Sequence, residues 1–270
     1  MNLNEIFSNA EKYNKQTFIK NNKLLPILKE QMQKESSKTY PPSKEATFRA
    51  SGVGGCQRKM MYALLGYDNN PDHVSVFTLE QGTLIHEMIQ GYLQRAGVIE
   101  SLEEELQILP QLKGHYDGVL NINGERYLLE IKTINHVAYE RVSKYNTVYN
   151  KYILQAHCYM KALDIDKCLF LFVNKGHTVS EEFAENNPDI DKLFHEIEVK
   201  FDNKVWEEIE TKISDLTIHF ENKTMPPMKK VSECSYCSFR DQCYSDWEKE
   251  KIAKKERKPK SEKSQRKNKE

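Results

Sequence analysis

Apolar positions change their period along the chain, and each change predicts an element. Leu84, Ile85, Met88, Ile89, Tyr92 and Leu93 fall within about half the circumference of a helix at ~100° per residue, which predicts an amphipathic helix over 76–95. Short apolar runs follow at ELQIL (105–109), GHYDGVL (114–120), RYLLEIKT (126–133) and CLFLFV (168–173), and these predict strands. Between the last two, Val148, Tyr152, Ala156, Tyr159 and Leu163 share one face of a helix over 147–163. A strand over 194–201 and a helix over 202–222 complete the pattern. Helix, three meandering strands, helix and strand make an α/β core with a mixed central sheet.

The two ends read differently. Over 1–45, Leu24, Leu25, Ile27, Leu28 and Met32 recur at helical spacing before Pro41-Pro42 stops the pattern, so a helical extension is expected ahead of a core domain over 46–247. Residues 248–270 carry almost no apolar side chains and predict a disordered basic tail, with eleven Lys/Arg against five Glu. The whole chain balances 40 Lys+Arg against 40 Asp+Glu, so the body before the tail is acidic by six. That balance neither marks nor excludes a partner of high charge, because an acidic hydrolytic site gains positive charge only when its cations bind. No run approaches the apolar length of a membrane span or a signal peptide, so a soluble, cytoplasmic protein without a membrane partner is expected. Six cysteines in a reducing compartment point to metal binding rather than disulfides wherever they cluster.

The chemistry concentrates at one turn. Asn123-Gly124 between two strand-like runs is the strongest short-range signal for a two-residue type I′ hairpin. If Ile122 pairs with Glu125, the same register sets Asp117 directly opposite Glu130, with Cβ atoms roughly 4.5–5.5 Å apart on one face. Two carboxylates so placed repel, and a hard cation between them relieves the repulsion. Lys132 is two residues beyond Glu130, so its ammonium leaves the same face, and an ammonium near a metal-bound water can orient it, favour its ionised form and stabilise charge developing on an attacked phosphate. An isolated Glu-x-Lys is ordinarily an exposed pair. Here Leu128, Leu129 and Ile131 flank it, and a charge on a buried strand needs a partner or a metal. His86 lies just past the apolar arc of the first helix, where it is a third candidate ligand or a hydrogen-bonded core histidine. Gln155 and Tyr159 are one turn apart on the second helix.

A second cluster is Cys234-x2-Cys237-x5-Cys243, with Cys56 ahead of the first core helix. Four thiolates suit a zinc site or a 4Fe-4S cluster, and spacing by itself favours zinc. Cys158 and Cys168 fall in apolar surroundings and read as packed thiols. Lys229, Lys230 and Arg240 flank the cluster and are phosphate contacts or plain surface charges.

In order, Gly82-x3-His86, Asp117, Glu130-Ile131-Lys132 and Gln155-x3-Tyr159 resemble the motifs of the PD-(D/E)XK nuclease superfamily, RecB-like branch. Each piece is weak; their order and placement on helix, strand, strand and helix give the combination its weight. The resemblance implies a restriction-endonuclease-like core and an enzyme, a deoxyribonuclease that hydrolyses phosphodiester bonds. It implies Mg²⁺ or Mn²⁺ held by His86, Asp117, Glu130 and the Ile131 carbonyl, Lys132 assisting the attacking water, and Gln155 and Tyr159 organising the site and touching DNA. Tyr116 stands where the family has proline, at a position without chemistry. One cysteine before the histidine helix and three near the C-terminus are similar to the arrangement in AddB-type nucleases and CRISPR-associated RecB-like exonucleases, which reverses the preference from zinc to 4Fe-4S on Cys56, Cys234, Cys237 and Cys243. Exonuclease action on single-stranded DNA ends is the family-based expectation, and recombination, repair and CRISPR partner proteins all stay open. The competing class is a non-catalytic DNA-binding or scaffold module that keeps the fold and the cysteines, against which the joint presence of Asp117, Glu130 and Lys132 argues.

Overall fold

The structure, a computed structural model, describes residues 23–36, 42–68, 73–176 and 192–256. In chain order the elements are α1 (Leu24–Ser36), β1 (Phe48–Arg49), α2 (Gln57–Leu64), α3 (His73–Arg95), β2 (Ile99–Ser101), β3 (Glu105–Leu109), β4 (Leu112–His115), β5 (Gly118–Ile122), β6 (Glu125–Ile134), α4 (His136–Tyr145), α5 (Asn150–Leu163), β7 (Lys167–Asn174), β8 (Phe194–Lys200), α6 (Asn203–Glu221) and α7 (Arg240–Glu256). The expected mixed α/β architecture is present: a five-stranded sheet in the order β2-β5-β6-β7-β8 combines antiparallel pairs with a parallel β6–β7 pair and is flanked by helices.

Each face of that sheet buries one side of β6, as a period of two requires. Leu128 joins Cys168, Phe170 and Phe172 in the main core, which α5 and α6 close with Leu154, Ala156, Ile209 and Ile213. Leu129 and Ile131 join Ile89 of α3 in a smaller core on the other face. Glu130 and Lys132 therefore belong to the α5 side of the sheet, with α3 behind it. α3 passes close to β6 at Gly82, where a Cβ would be in ordinary contact with the Thr133 hydroxyl at 3.4 Å.

Two departures from the sequence reading shape the site. The run at 114–120 is not one strand but two: β4 pairs with β3 and, in parallel, with β1 in a separate three-stranded sheet, while β5 belongs to the five-stranded sheet. The chain changes sheets at Tyr116-Asp117, where the Tyr116 ring is buried with its hydroxyl 2.8 Å from Ser101 Oγ. The Gln90 amide donates to the Asp117 carbonyl at 2.8 Å and takes it out of the ladder. The helix expected over 147–163 begins at Asn150, and a separate helix, α4, precedes it. Asn135 caps α4 by accepting the Ala138 N–H, and Asn146 ends it in the left-handed conformation at φ 45°.

Within the extension expected over 1–45, α1 lies against α3 with Leu24, Leu25, Ile27 and Leu28 exposed, while residues 1–22 and 37–41 lie outside the described residues. At the other end α7 runs to Glu256, into the stretch expected to be disordered from 248; residues 257–270 lie outside the described residues. What holds α7 is a buried guanidinium: Arg58 of α2 is bonded to Glu250 at 3.0 Å and to the Pro226 carbonyl at 3.2 Å, and the Tyr62 hydroxyl donates to Asp246 at 2.8 Å. Among the described residues no helix is long and apolar enough to cross a membrane.

Candidate active site

The type I′ signal at Asn123-Gly124 sets the register. Both residues adopt positive φ, 56° and 86°, and Ile122 pairs with Glu125 as the turn dictates. The ladder continues to Gly118 opposite Leu129, so the next step brings Asp117 level with Glu130. There the strand pairing ends and side chains replace it. The Ile131 N–H donates to Asp117 Oδ2 at 2.7 Å, and His86 Nδ1 of α3 lies 3.5 Å from Asp117 Oδ1. Lys132 Nζ is 2.5 Å from Glu130 Oε2 and 3.4 Å from the Gln155 side-chain oxygen. Five sequence-nominated side chains thus converge on one end of β6: His86, Asp117, Glu130, Lys132 and Gln155. At Ile131 the structure engages the amide.

Burial makes this cluster costly, which is informative about its purpose. Glu130 is 0% exposed, and its Oε1 has no hydrogen-bond partner. Burial pushes the Glu130 carboxyl up to about 7, opposed by the Lys132 charge and reinforced by Asp117. Burial would raise Asp117 too, but the His86 hydrogen bond, the Lys132 charge and the Ile131 amide outweigh it and hold that carboxyl below its ordinary value. Burial likewise opposes the Lys132 ammonium, and the Glu130 and Asp117 charges overcome it and keep the proton on. The site is therefore one firmly ionised carboxylate, one buried carboxyl paired to an ammonium through Oε2 with its Oε1 unpartnered, and that ammonium.

Tyr159 lies one turn beyond Gln155 but is only 1% exposed. Its ring packs over Gly114, where a Cβ would sit 2.7 Å from the hydroxyl. Burial pushes its phenol well up. In this position the Tyr159 side chain is part of the packed core beside Gly114.

Two residues of the site escaped the sequence reading. Gln90 donates to both the Asp117 carbonyl and Glu103 Oε1, at 2.8 and 2.9 Å, and so fixes the backbone that carries Asp117. Its signal was available: it is one helical turn past His86. Tyr152 places its ring 5.2 Å from Lys132 Nζ, and its signal was absorbed into the apolar face of the helix.

Among the described residues no group of three or more His, Cys, Asp or Glu side chains is closed up as a metal cage. The hairpin nevertheless fits a hard divalent cation by its chemistry: an imidazole and two carboxylates meet there, and one buried carboxylate oxygen has nothing to bind. Among the described residues the cysteines form no group placed to hold a metal. Burial raises the Cys243 thiol, and the Arg58 charge opposes that rise. Cys234 accepts the Val231 N–H at 3.5 Å. Cys158 and Cys168 are fully buried; burial pushes the Cys158 thiol up to about 12.

No family model matches the chain, and no curated protein matches it in sequence. Among solved structures it is similar to an alkaline exonuclease (LHK-Exo) from Laribacter hongkongensis, at 15% identity and a TM-score of 0.48, over 72% of this chain and 93% of that one. It is also similar to SSO0001, at 16% identity and a TM-score of 0.47, over 80% of this chain and 93% of that one. A phage related exonuclease from Haemophilus somnus 129PT gives 16% identity and a TM-score of 0.47, over 66% of this chain and 95% of that one. Likenesses this distant leave the activity to be argued from the site's own chemistry.

Proposed function

We propose that this chain is a metal-dependent DNA nuclease of the PD-(D/E)XK type, acting as an exonuclease on single-stranded ends. The supporting observation is the buried Glu130 oxygen without a partner, on a carboxylate that faces Asp117 and is paired to Lys132. A protein built for stability alone gains nothing from such an atom, because a buried unsatisfied oxygen costs roughly 1–3 kcal/mol.

His86, Asp117, Glu130 and the Ile131 carbonyl are the groups that would hold Mg²⁺ or Mn²⁺. When bound, the ion supplies Lewis acidity toward a phosphate and lowers the pKa of water. The chain's own residues do the rest. His86 and the Ile131 amide orient the two oxygens of Asp117, and Gln90 fixes its backbone. Lys132, kept protonated by Glu130 and Asp117, presents an ammonium that orients the attacking water and offsets charge developing on phosphate oxygens. Gln155 and the Tyr152 ring limit where that ammonium points.

The assay is degradation of end-labelled single- and double-stranded DNA by full-length protein with Mg²⁺ or Mn²⁺, and with chelator. Metal-dependent loss of label from single-stranded ends is expected. Protein that binds DNA yet cuts neither substrate makes the non-catalytic module the correct reading. The 4Fe-4S cluster on Cys56, Cys234, Cys237 and Cys243 is a separate proposal, supported by the spacing of these cysteines along the chain and by their all being free. Broad absorption of the purified protein near roughly 400 nm carries it, and a colourless protein overturns it, since zinc thiolate does not absorb there.

A further inference from the structure

The Lys132 ammonium leads outward onto a small aromatic and basic surface. Its nearest ring is Tyr152, centred 5.2 Å from Nζ. The same ring lies 4.9 Å from the ammonium of Lys151, which is exposed. Tyr152 is thus occupied by two cations, and it meets Tyr149 edge to face, with centroids 5.9 Å apart at 83°. Tyr149 is 40% exposed, so its ring closes the chain of contacts that begins at Lys132 and ends in solvent. The segment is firmly seated: a Cβ at Gly54 would lie 2.2 Å from the Lys151 Cα, so the loop before α2 is pressed directly against the start of α5. At the end of α4 Tyr145 is exposed and carries the Lys144 ammonium 5.4 Å from its ring centre.

We propose that Tyr149, backed by Tyr152 and flanked by Lys151, is a stacking platform for the unpaired bases of a strand entering the Lys132 site. A half-exposed ring at the end of a rigid aromatic pair offers a face to a base, and a neighbouring ammonium offers a counter-charge to its phosphate. A base inside a duplex already has both faces stacked, so the platform selects an unpaired strand. The proposal rests on the nuclease reading only for what happens to the strand beyond Lys132; binding itself needs no metal.

The experiment uses full-length protein in chelator and a short oligothymidine with 2-aminopurine near its end. Anisotropy reports affinity, and quenching of the 2-aminopurine reports stacking. Tyr149→Ala is expected to weaken binding about 5- to 150-fold, the range for one lost base–aromatic stack, and to abolish quenching. Tyr149→Phe restores both, and binding of a blunt duplex is unchanged in either variant. Lys151→Gln lowers the salt dependence of strand binding by about one phosphate contact. If Tyr149→Ala fails to fold by circular dichroism, Tyr149→Leu, which keeps apolar bulk at the helix start, takes its place with the same expected loss. Wild-type affinity and quenching in the folded variant overturn the platform, as does an equal loss of duplex binding. A strand that stacks but is never cut removes the nuclease reading and leaves the platform; a strand cut normally by Tyr149→Ala does the reverse.

Discussion

Lys132→Met separates a charge pair kept for stability from one kept for chemistry. Glu130 is wholly enclosed and Lys132 is 12% exposed, with 2.5 Å between Nζ and Oε2. Removing the ammonium takes away the largest influence holding the Glu130 carboxyl down to about 7, so at neutral pH the carboxyl must take up a proton or stay charged beside Asp117, and breaking a buried pair in this way costs up to about 3–5 kcal/mol. For a chain of this size each kcal/mol moves the midpoint by roughly 2–4 °C, so the single variant melts about 6–20 °C below the wild type in chelator. Replacing both partners, Glu130→Met with Lys132→Met, removes the desolvation cost of both charges and the orphaned oxygen together. That double variant is expected to be as stable as the wild type or about 1–4 kcal/mol more stable, and wholly inactive. Urea denaturation of the four proteins of the cycle at neutral pH gives the coupling directly. A Lys132→Met protein within about 1 kcal/mol of the wild type, or a double variant less stable than either single one, refutes the claim that this pair is an energetic burden retained for function.

Three further outcomes follow from particular contacts. Gly114→Ala pushes a methyl to 2.7 Å from the Tyr159 hydroxyl and 2.9 Å from the Ala50 Cβ, and should cost about 1–3 kcal/mol in thermal melts while lowering activity through the Gln155 helix. Gln90→Leu leaves the Asp117 carbonyl without its donor, and calorimetry should show Mn²⁺ binding about 10- to 100-fold weaker with the fold intact. His157 donates from Nδ1 to the Ile153 carbonyl at 2.8 Å and accepts the Asp202 N–H at Nε2, so the neutral ring is satisfied at both nitrogens, and burial holds its pKa below the ordinary value of 6.5. The unfolded chain therefore takes up that proton before the native one does. Stability is full above about pH 6.5 and is lost as pH falls below it, and His157→Phe should remove this part of the pH slope in denaturant titrations.

The hairpin of the candidate site was legible because its geometry is local. Asn123-Gly124 demands a two-residue turn, a two-residue turn permits one register, and that register alone aligns Asp117 with Glu130. The change of sheet at Tyr116-Asp117 was not legible, since β4 and β5 make one continuous run and the break depends on the distant Gln90 amide and Ser101 hydroxyl. Helix α4 was missed for a different reason: its apolar face is short, and its clearest marks, Asn135 and Asn146, lie just outside it. Tyr152 looked like any other residue on the buried face of α5. Only the parallel pairing of β6 with β7, which folds the intervening α5 back over Lys132, turns it into a neighbour of the site. The Arg58 anchor for α7 joins residues from opposite ends of the domain, and no local pattern announces such a contact.

The most direct test of the central claim is cleavage of end-labelled single-stranded DNA in Mn²⁺ by full-length wild-type protein beside Glu130→Ala and Lys132→Ala. The wild type should cut and lose all activity in chelator, and each variant should be slower by about 100-fold or more. Cleavage by either variant at the wild-type rate, or a wild type that cuts nothing, contradicts the assignment of the Asp117, Glu130 and Lys132 cluster as a hydrolytic site.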